Sequence, residues 1–274
     1  MENPYCIQGP ASISFSGGRT SAFMLRQIID AHGGTLPSDV VVCFANTGLE
    51  HAETYKFIHE IETRWSVPIN WLEYRHEPGR HYFVKVQYGT HSTKGEPFEH
   101  VISARNFLPN PMTRFCTSEM KIRTMRRFVV SLGWDEYTSV VGLRADEPWR
   151  VAKIKGDHAN ESVVCPMHAA GHTLGDVEAF WSVQDFRLGI PQRMGNCVGC
   201  FLKARHKLEM IAREEPDQLA WWARQEGRFM DSDGRPSVWR IDRPGYRVIL
   251  KQVQQQGKMF DDTEEDSIPC MCHE

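Results

Sequence analysis

The stretch Ser16-Gly17-Gly18-Arg19-Thr20-Ser21 joins a short β-branched run to an apolar pattern of helical period. Its residue types suit an anion. Glycines reach φ values that other residues resist and let the backbone approach a ligand closely. Three hydroxyls, the free N–H groups of a helix start and the positive end of the helix dipole complete a cradle, and phosphate is the anion that fits it. The pattern GxxxxGK[ST] is absent and the spacing excludes GxGxxG. The plain alternative is a strand-to-helix turn with Ser16 as its N-cap. A second group with chemistry is Cys197-Val198-Gly199-Cys200, turned sharply by Gly195 and Gly199. By itself this C-x-x-C serves as a redox pair, half a zinc site or half an iron–sulfur site.

The surrounding pattern must position these residues. Ile13–Phe15, Val40–Ala45, Ile69–Tyr74, Tyr137–Leu143 and Ser162–Val164 read as strands, and the run VVVCFA is of the kind buried on both faces. Between them, Thr20–Ile29, residues 51–66 and Ser118–Leu132 read as helices, followed by Thr173–Phe186, Phe201–Glu214 and a start at Pro216. The alternation predicts an α/β fold: a doubly wound, mostly parallel sheet with ligands beyond the C-terminal strand ends. Residues 75–113 and 217–260 show no readable motif; a stretch as long as the first, inside a compact domain, is expected to be a functional loop or lid, or else to hide elements its pattern does not show. The 274 residues suffice for one large domain or one and a half. A net charge of −3 argues against an overall nucleic-acid binder but not against a local basic groove. The segments KIRTMRR (121–127) and KARHK (203–207) suit such a groove, or are ordinary solvated helix faces. The opening residues show no leader pattern and no apolar run reaches membrane-spanning length, so the expectation is a cytoplasmic protein with reduced thiols.

Six segments, in order over residues 11–205, resemble those of phosphoadenosine-phosphosulfate (PAPS) reductases and the wider PP-loop ATP-pyrophosphatase superfamily. They are the Ser-Gly-Gly loop, CFANTGLEHAETYKFI (43–58), RFCTSEMKI (114–122), VGLRADEPWR (141–150), HTLGDVEAFW (172–181) and GNCVGCFLK (195–203). The resemblance implies the adenine nucleotide alpha-hydrolase-like fold. It divides the chain into a nucleotide-binding α/β domain (1–165), a helical cysteine-bearing extension (166–260) and an acidic, cysteine-containing tail (261–274). It implies that Ser14, Ser16, Gly17, Gly18, Arg19, Thr20 and Ser21 hold the phosphates of ATP or a PAPS-type nucleotide with Mg2+, and that Asn46, Thr47, Gly48 and Glu53 shape the nucleotide pocket. Arg144, Arg150 and Lys121 would neutralise developing charge, beside Arg114. Asn46 stands where the family has Asp, and Arg19 where relatives have Lys.

Among the eight cysteines, Cys43 reads as core packing and Cys6 carries no signal. Cys116, with Cys197 and Cys200, resembles the ligand layout of adenylyl-sulfate reductases, and Cys165 is the best candidate for a fourth ligand. This implies a [4Fe–4S] cluster with four ligands, a three-ligand cluster with one open iron, or a structural Zn2+. The nearby His168 and His172 read as polar surface rather than as ligands. The tail IPCMCHE offers Cys272 before His273 as a loose match to the reductases' nucleophile, with Cys270 beside it.

Three functions remain open. The first is ATP-dependent activation with sulfur transfer, to tRNA or DNA and with a cysteine desulfurase as partner. The second is reduction of PAPS or adenylyl sulfate to sulfite with thioredoxin as donor. The third is a nucleotide-binding regulatory module. A homo-oligomer is expected in each case.

Overall fold

The computed structural model describes residues 3–154, 156, 158–195, 197–230 and 234–255. Among them, six strands form one sheet in the order β4-β3-β2-β1-β5-β6. They are β1 (Ala11–Ser14), β2 (Val40–Asn46), β3 (Ile69–Glu77), β4 (Arg80–Val86), β5 (Tyr137–Val141) and β6 (Glu161–Val164). Every pairing of these strands is parallel except the β3–β4 hairpin. This is the mostly parallel α/β sheet expected. The chain runs outward from β1 to β4 on one side and resumes at β5 on the other. The order therefore reverses between β1 and β5, where such sheets open a crevice for ligands.

The helices are α1 (Arg19–Ala31), α2 (Ala52–Arg64), α3 (Glu96–Arg105), α4 (Phe115–Thr117), α5 (Arg123–Ser131), α6 (Pro148–Val151), α7 (Pro166–Ala169), α8 (Leu174–Ser182), α9 (Arg205–Glu214), α10 (Asp217–Gln225) and α11 (Tyr246–Gln255). Strand β2 shows why its sequence is apolar throughout. Val42 and Phe44 face the large cluster holding α1 and α2, while Cys43 faces a smaller one with Leu72, Phe128 and Val129. Cys43 is fully buried, and Ser12 Oγ lies 3.5 Å from its Sγ. No helix among the described residues is long and apolar enough to cross a membrane.

Residues 75–113 differ from the expected loop. They complete the β3–β4 hairpin through Gly79 and then form α3. The helix buries Phe98, Val101 and Ile102, an i, i+3, i+4 stripe, behind Pro97 in its first turn. The helix expected over Ser118–Leu132 is interrupted: Ser118–Ile122 is a π-helical turn between α4 and α5. Such turns mark functional sites more often than chance, because they re-aim a side chain within a helix.

Candidate functional site

The Ser-Gly-Gly loop leaves β1 and enters α1. Gly17 has φ +78°, and a Cβ there would lie 2.7 Å from Ile58 Cδ1, so both backbone and space demand glycine. Ser16 and Ser21 lock the turn: Ser16 N–H donates to Ser21 Oγ at 3.2 Å, the two hydroxyls lie 2.9 Å apart, and Ser21 Oγ donates to Gly18 O at 3.1 Å. Gly18 caps α1 in extended geometry without a side-chain bond, and Ala22 N–H makes the first bond back, to Gly18 O at 3.0 Å. The N–H groups of Arg19, Thr20 and Ser21 thus have no intrahelical acceptor and point out of the helix start. Trp181 Nε1 donates to Arg19 O at 2.9 Å and holds the turn from α8.

Arg144 follows β5 on the other side of the crevice. Its Nη1 donates to Thr20 Oγ1 at 3.4 Å, while Asp146 accepts from its Nε at 2.9 Å and Glu147 lies 3.5 Å from Nη2. A cleft of about 100 Å³ lies between Ser16, Gly18, Arg19, Thr20 and Arg144. Open amides, hydroxyls and a guanidinium facing one small space fit phosphate oxygens. The segment HTLGDVEAFW has a structural part in this. Thr173 N–H donates to the Asp176 carboxylate at 2.7 Å, starting α8, and that bond holds the Asp176 carboxyl below its ordinary range.

The end of β2 is a second focus. Asn46 is buried; its Nδ2 donates to Glu73 Oε1 at 2.7 Å and to Ser92 O at 2.9 Å, and its Oδ1 accepts from Gly48 N–H at 2.9 Å. Tyr55 OH, on α2, lies 3.1 Å from the same Oδ1, so the amide ties the loop to β3 and α2. This explains amide in place of carboxylate: Asp here would face the buried Glu73. Gly48, at φ +76°, packs on the backbone of Gly95, whose N–H donates to Gly48 O at 2.9 Å. Thr47 Oγ1 donates to Glu50 Oε1 at 2.7 Å and lies 3.3 Å from Cys197 Sγ. Glu53, expected to shape the nucleotide pocket, instead pairs with Lys56, about half-exposed at the start of α2.

Glu50 is the residue that sequence reasoning missed. It is buried, accepts from Tyr55 OH at 3.0 Å and lines a cavity with Ser14, Phe15, Ser16, Phe44, Ala45 and Lys121. Burial, followed by the Glu50 charge, pushes the Tyr55 phenol well above its ordinary range. The signal available in the chain was an acid just beyond Asn46-Thr47-Gly48.

Glu50 also ties this pocket to the cysteines. It pairs with Cys197 as an antiparallel bridge, and Val198 N–H donates to Leu49 O at 3.0 Å. Cys116, Cys197 and Cys200 line one cavity of about 20 Å³ with Thr47 and Lys121. Lys121, on the π-helical turn, therefore borders both the β1–β2 pocket and the cysteine cavity. Aromatic rings fix the C-x-x-C turn from behind: Tyr246 OH donates to Gly199 O at 2.6 Å, and a Cβ on Gly199 would lie 2.2 Å from the Trp222 ring.

Cys165 does not join the other three. It does not line their cavity; burial pushes its thiol up to about 11, with Arg150 acting in the opposite direction. Among the described residues no three His, Cys, Asp or Glu side chains are grouped so as to hold a metal ion. The expected four-thiolate site of Cys116, Cys165, Cys197 and Cys200 is therefore not assembled, because Cys165 follows β6 at the far edge of the sheet. These residues as arranged do not fit a four-cysteine cluster. Arg114 and Arg150 line a separate, larger cavity, and Arg150 pairs with Glu147. Cys270 and Cys272 lie outside the described residues. Within the basic segments, Arg123 and Arg127, with Arg105, surround the buried Glu119, and Lys203 donates to Gly195 O at 2.8 Å.

The model of the phosphoadenosine phosphosulfate reductase domain matches residues 10–169. An uncharacterized nin region protein of Escherichia phage lambda is 29% identical over 210 residues, covering 74% of this chain and 69% of the relative. An uncharacterized protein of Methanocaldococcus jannaschii is 29% identical over 154 residues, 56% of this chain but only 27% of that relative. Among solved structures, a phosphate complex of phosphoadenylyl-sulfate reductase from Candida auris shares 14% identity, with a TM-score of 0.41 over 66% of this chain and 79% of that one. The U34-tRNA thiolase NcsA from Methanococcus maripaludis, with its [4Fe–4S] cluster, shares 11% at a TM-score of 0.43, over 96% of this chain and 82% of that one.

Proposed function

This chain belongs to the phosphoadenosine phosphosulfate reductase domain family, and from that premise we propose that it cleaves ATP between the α and β phosphates to activate an acceptor for sulfur transfer. The observation that carries the reading is the open start of α1 facing Arg144 across Thr20. Attack on the α phosphorus breaks its bond to the bridging oxygen, and negative charge grows on the departing pyrophosphate. The N–H groups of Arg19, Thr20 and Ser21 and the Arg144 guanidinium receive that charge without reorganising. Mg2+ enters as part of the nucleotide substrate, held by its phosphates. Ser14, Ser16 and the backbone at Ala45 border the space for the nucleoside side, with Lys121 as the cation between nucleotide and thiols.

The sulfur step falls to Cys116, Cys197 and Cys200. A persulfide on one of them, supplied by a cysteine desulfurase, attacks the activated acceptor and AMP leaves. A second thiol then attacks the resulting disulfide, releases the thiolated acceptor and leaves a cysteine–cysteine disulfide, which a thioredoxin-type dithiol reduces. No step requires Cys165 or a bound cluster.

The test is turnover of α-labelled ATP by the full chain. AMP and pyrophosphate are the expected products, and Arg144→Met lowers the rate by about 10²–10³, the usual cost of one lost oxyanion donor. ADP and phosphate as products would refute the reading. The family match favours a second reading, reduction of PAPS or adenylyl sulfate to sulfite. Sulfite release that disappears in Cys272→Ala identifies it.

A further inference from the structure

A cavity larger than the phosphate cleft lies elsewhere in the fold. About 330 Å³ opens on the β5–β6 flank of the sheet, within the roughly 300–1,000 Å³ typical of small-molecule sites. Branched aliphatic side chains make up much of its lining: Ile122, Val141, Leu143, Ile154 and Val163. Among the described residues its charged lining is three cations, Arg114, Arg150 and Lys153, and one carboxylate, Glu161. Arg150 pairs with Glu147, and Glu161 accepts from Ser139 Oγ, so both are held in place by neighbours. With Arg150 offset by Glu147, Arg114 and Lys153 stand against Glu161, which leaves a surplus of one positive charge among the described lining residues. Among the described residues no aromatic ring lines the cavity, so it offers a flat base nothing to stack on.

Its position is specific as well. It shares no lining residue with the phosphate cleft, but Leu143 lines it and the next residue, Arg144, lines the cleft. Thr117 and Ile122 form a common wall with the β1–β2 pocket. A ligand here would stand beside a nucleotide, not in its place.

We propose that this cavity is a second ligand site, for a small organic acid with an aliphatic body. The apolar lining takes the body and the surplus of positive charge takes the acid group. The inference rests on the proposed function only in placing the acid next to a nucleotide; the site itself needs no nucleotide chemistry.

Calorimetric titration of the full chain with octanoate tests it, with octylammonium and octanol as probes of the head group and α,β-methylene-ATP titrated in parallel. Octanoate is expected to bind one to one, and the cation and the alcohol not at all. Lys153→Gln weakens octanoate about twofold to fivefold, as loss of one exposed charge does. Val163→Trp, on the edge strand, fills the cavity and abolishes octanoate binding while leaving the ATP analogue unaffected. Ile154→Trp, in the segment after α6, gives the same result should the strand variant fail to fold. Equal binding of octanoate and octylammonium, no octanoate binding, or loss of the ATP analogue together with octanoate in a filled variant overturns the proposal. Octanoate bound by a protein that does not bind the analogue supports it and overturns the nucleotide reading instead.

Discussion

Replacing Asn46 by Asp puts a carboxylate where an amide now donates two hydrogen bonds inside the protein. The bond to Glu73 Oε1, at 2.7 Å, goes to a fully buried acid; the other goes to Ser92 O at 2.9 Å. A hydrogen bond to a charged group contributes about 1.5–3 kcal/mol and a neutral one about 0.5–1.5, so the lost donors together cost about 2–4.5 kcal/mol. Arg75, 2.5 Å from Glu73 Oε2, softens the new repulsion but cannot supply the missing donors. The cost depends on pH. Once protonated, the introduced carboxyl would donate to Glu73 much as the amide does, and two adjacent carboxylates hold that proton in the folded state above the unfolded Asp value of about 3.9. A folded-state pKa raised in this way means stability present below pH ~4 and lost as pH rises through the folded value. Urea unfolding of both proteins from pH 4 to 7.5 measures this. The deficit of Asn46→Asp should be smallest near pH 4 and reach its full size near pH 7, with the slope m unchanged. Equal midpoints at pH 7 would refute the account of why this chain carries Asn.

Gly17→Ala forces a side chain to φ +78° and against Ile58. Left-handed backbone costs about 1–2 kcal/mol and overpacking about 1–3, so the melting temperature should fall and binding of α,β-methylene-ATP should weaken with it. An unchanged melting temperature would show that the loop relaxes freely. Gly199→Ala drives a Cβ into Trp222; the Cys-x-x-Cys turn should loosen, seen as faster alkylation of Cys197 by iodoacetamide at constant pH. Cys165, its thiol pushed up to about 11 by burial, should alkylate slowly at pH 8 and faster toward pH 11; fast reaction at pH 7 refutes that burial. Cys165→Ala should leave the iron and zinc content of anaerobically purified protein unchanged, because the thiol stands apart from the other three. A loss of metal would place it among the ligands.

Much of this protein was written locally. The Ser-Gly-Gly turn, the doubly buried run of β2 and the helix start at Thr173 each depend on residues within a few positions, where φ preference, alternation and capping act directly. Residues 96–105 carried a helical stripe too, but Pro97 and the glycines around it masked it. Other features were beyond sequence reach because they are meetings of distant segments. Glu50 gains its meaning from Cys197, 147 positions away, and Arg144 from Thr20, 124 positions away. Glu53 and Cys165 had the right chemistry at plausible spacing, yet the helix face turned one outward and the strand order sent the other to the far edge. Residue type and short-range pattern determined the loop, the strands and the reactive groups. Only the order of strands in the sheet, a balance of packing over the whole chain, decided which of those groups share a cavity.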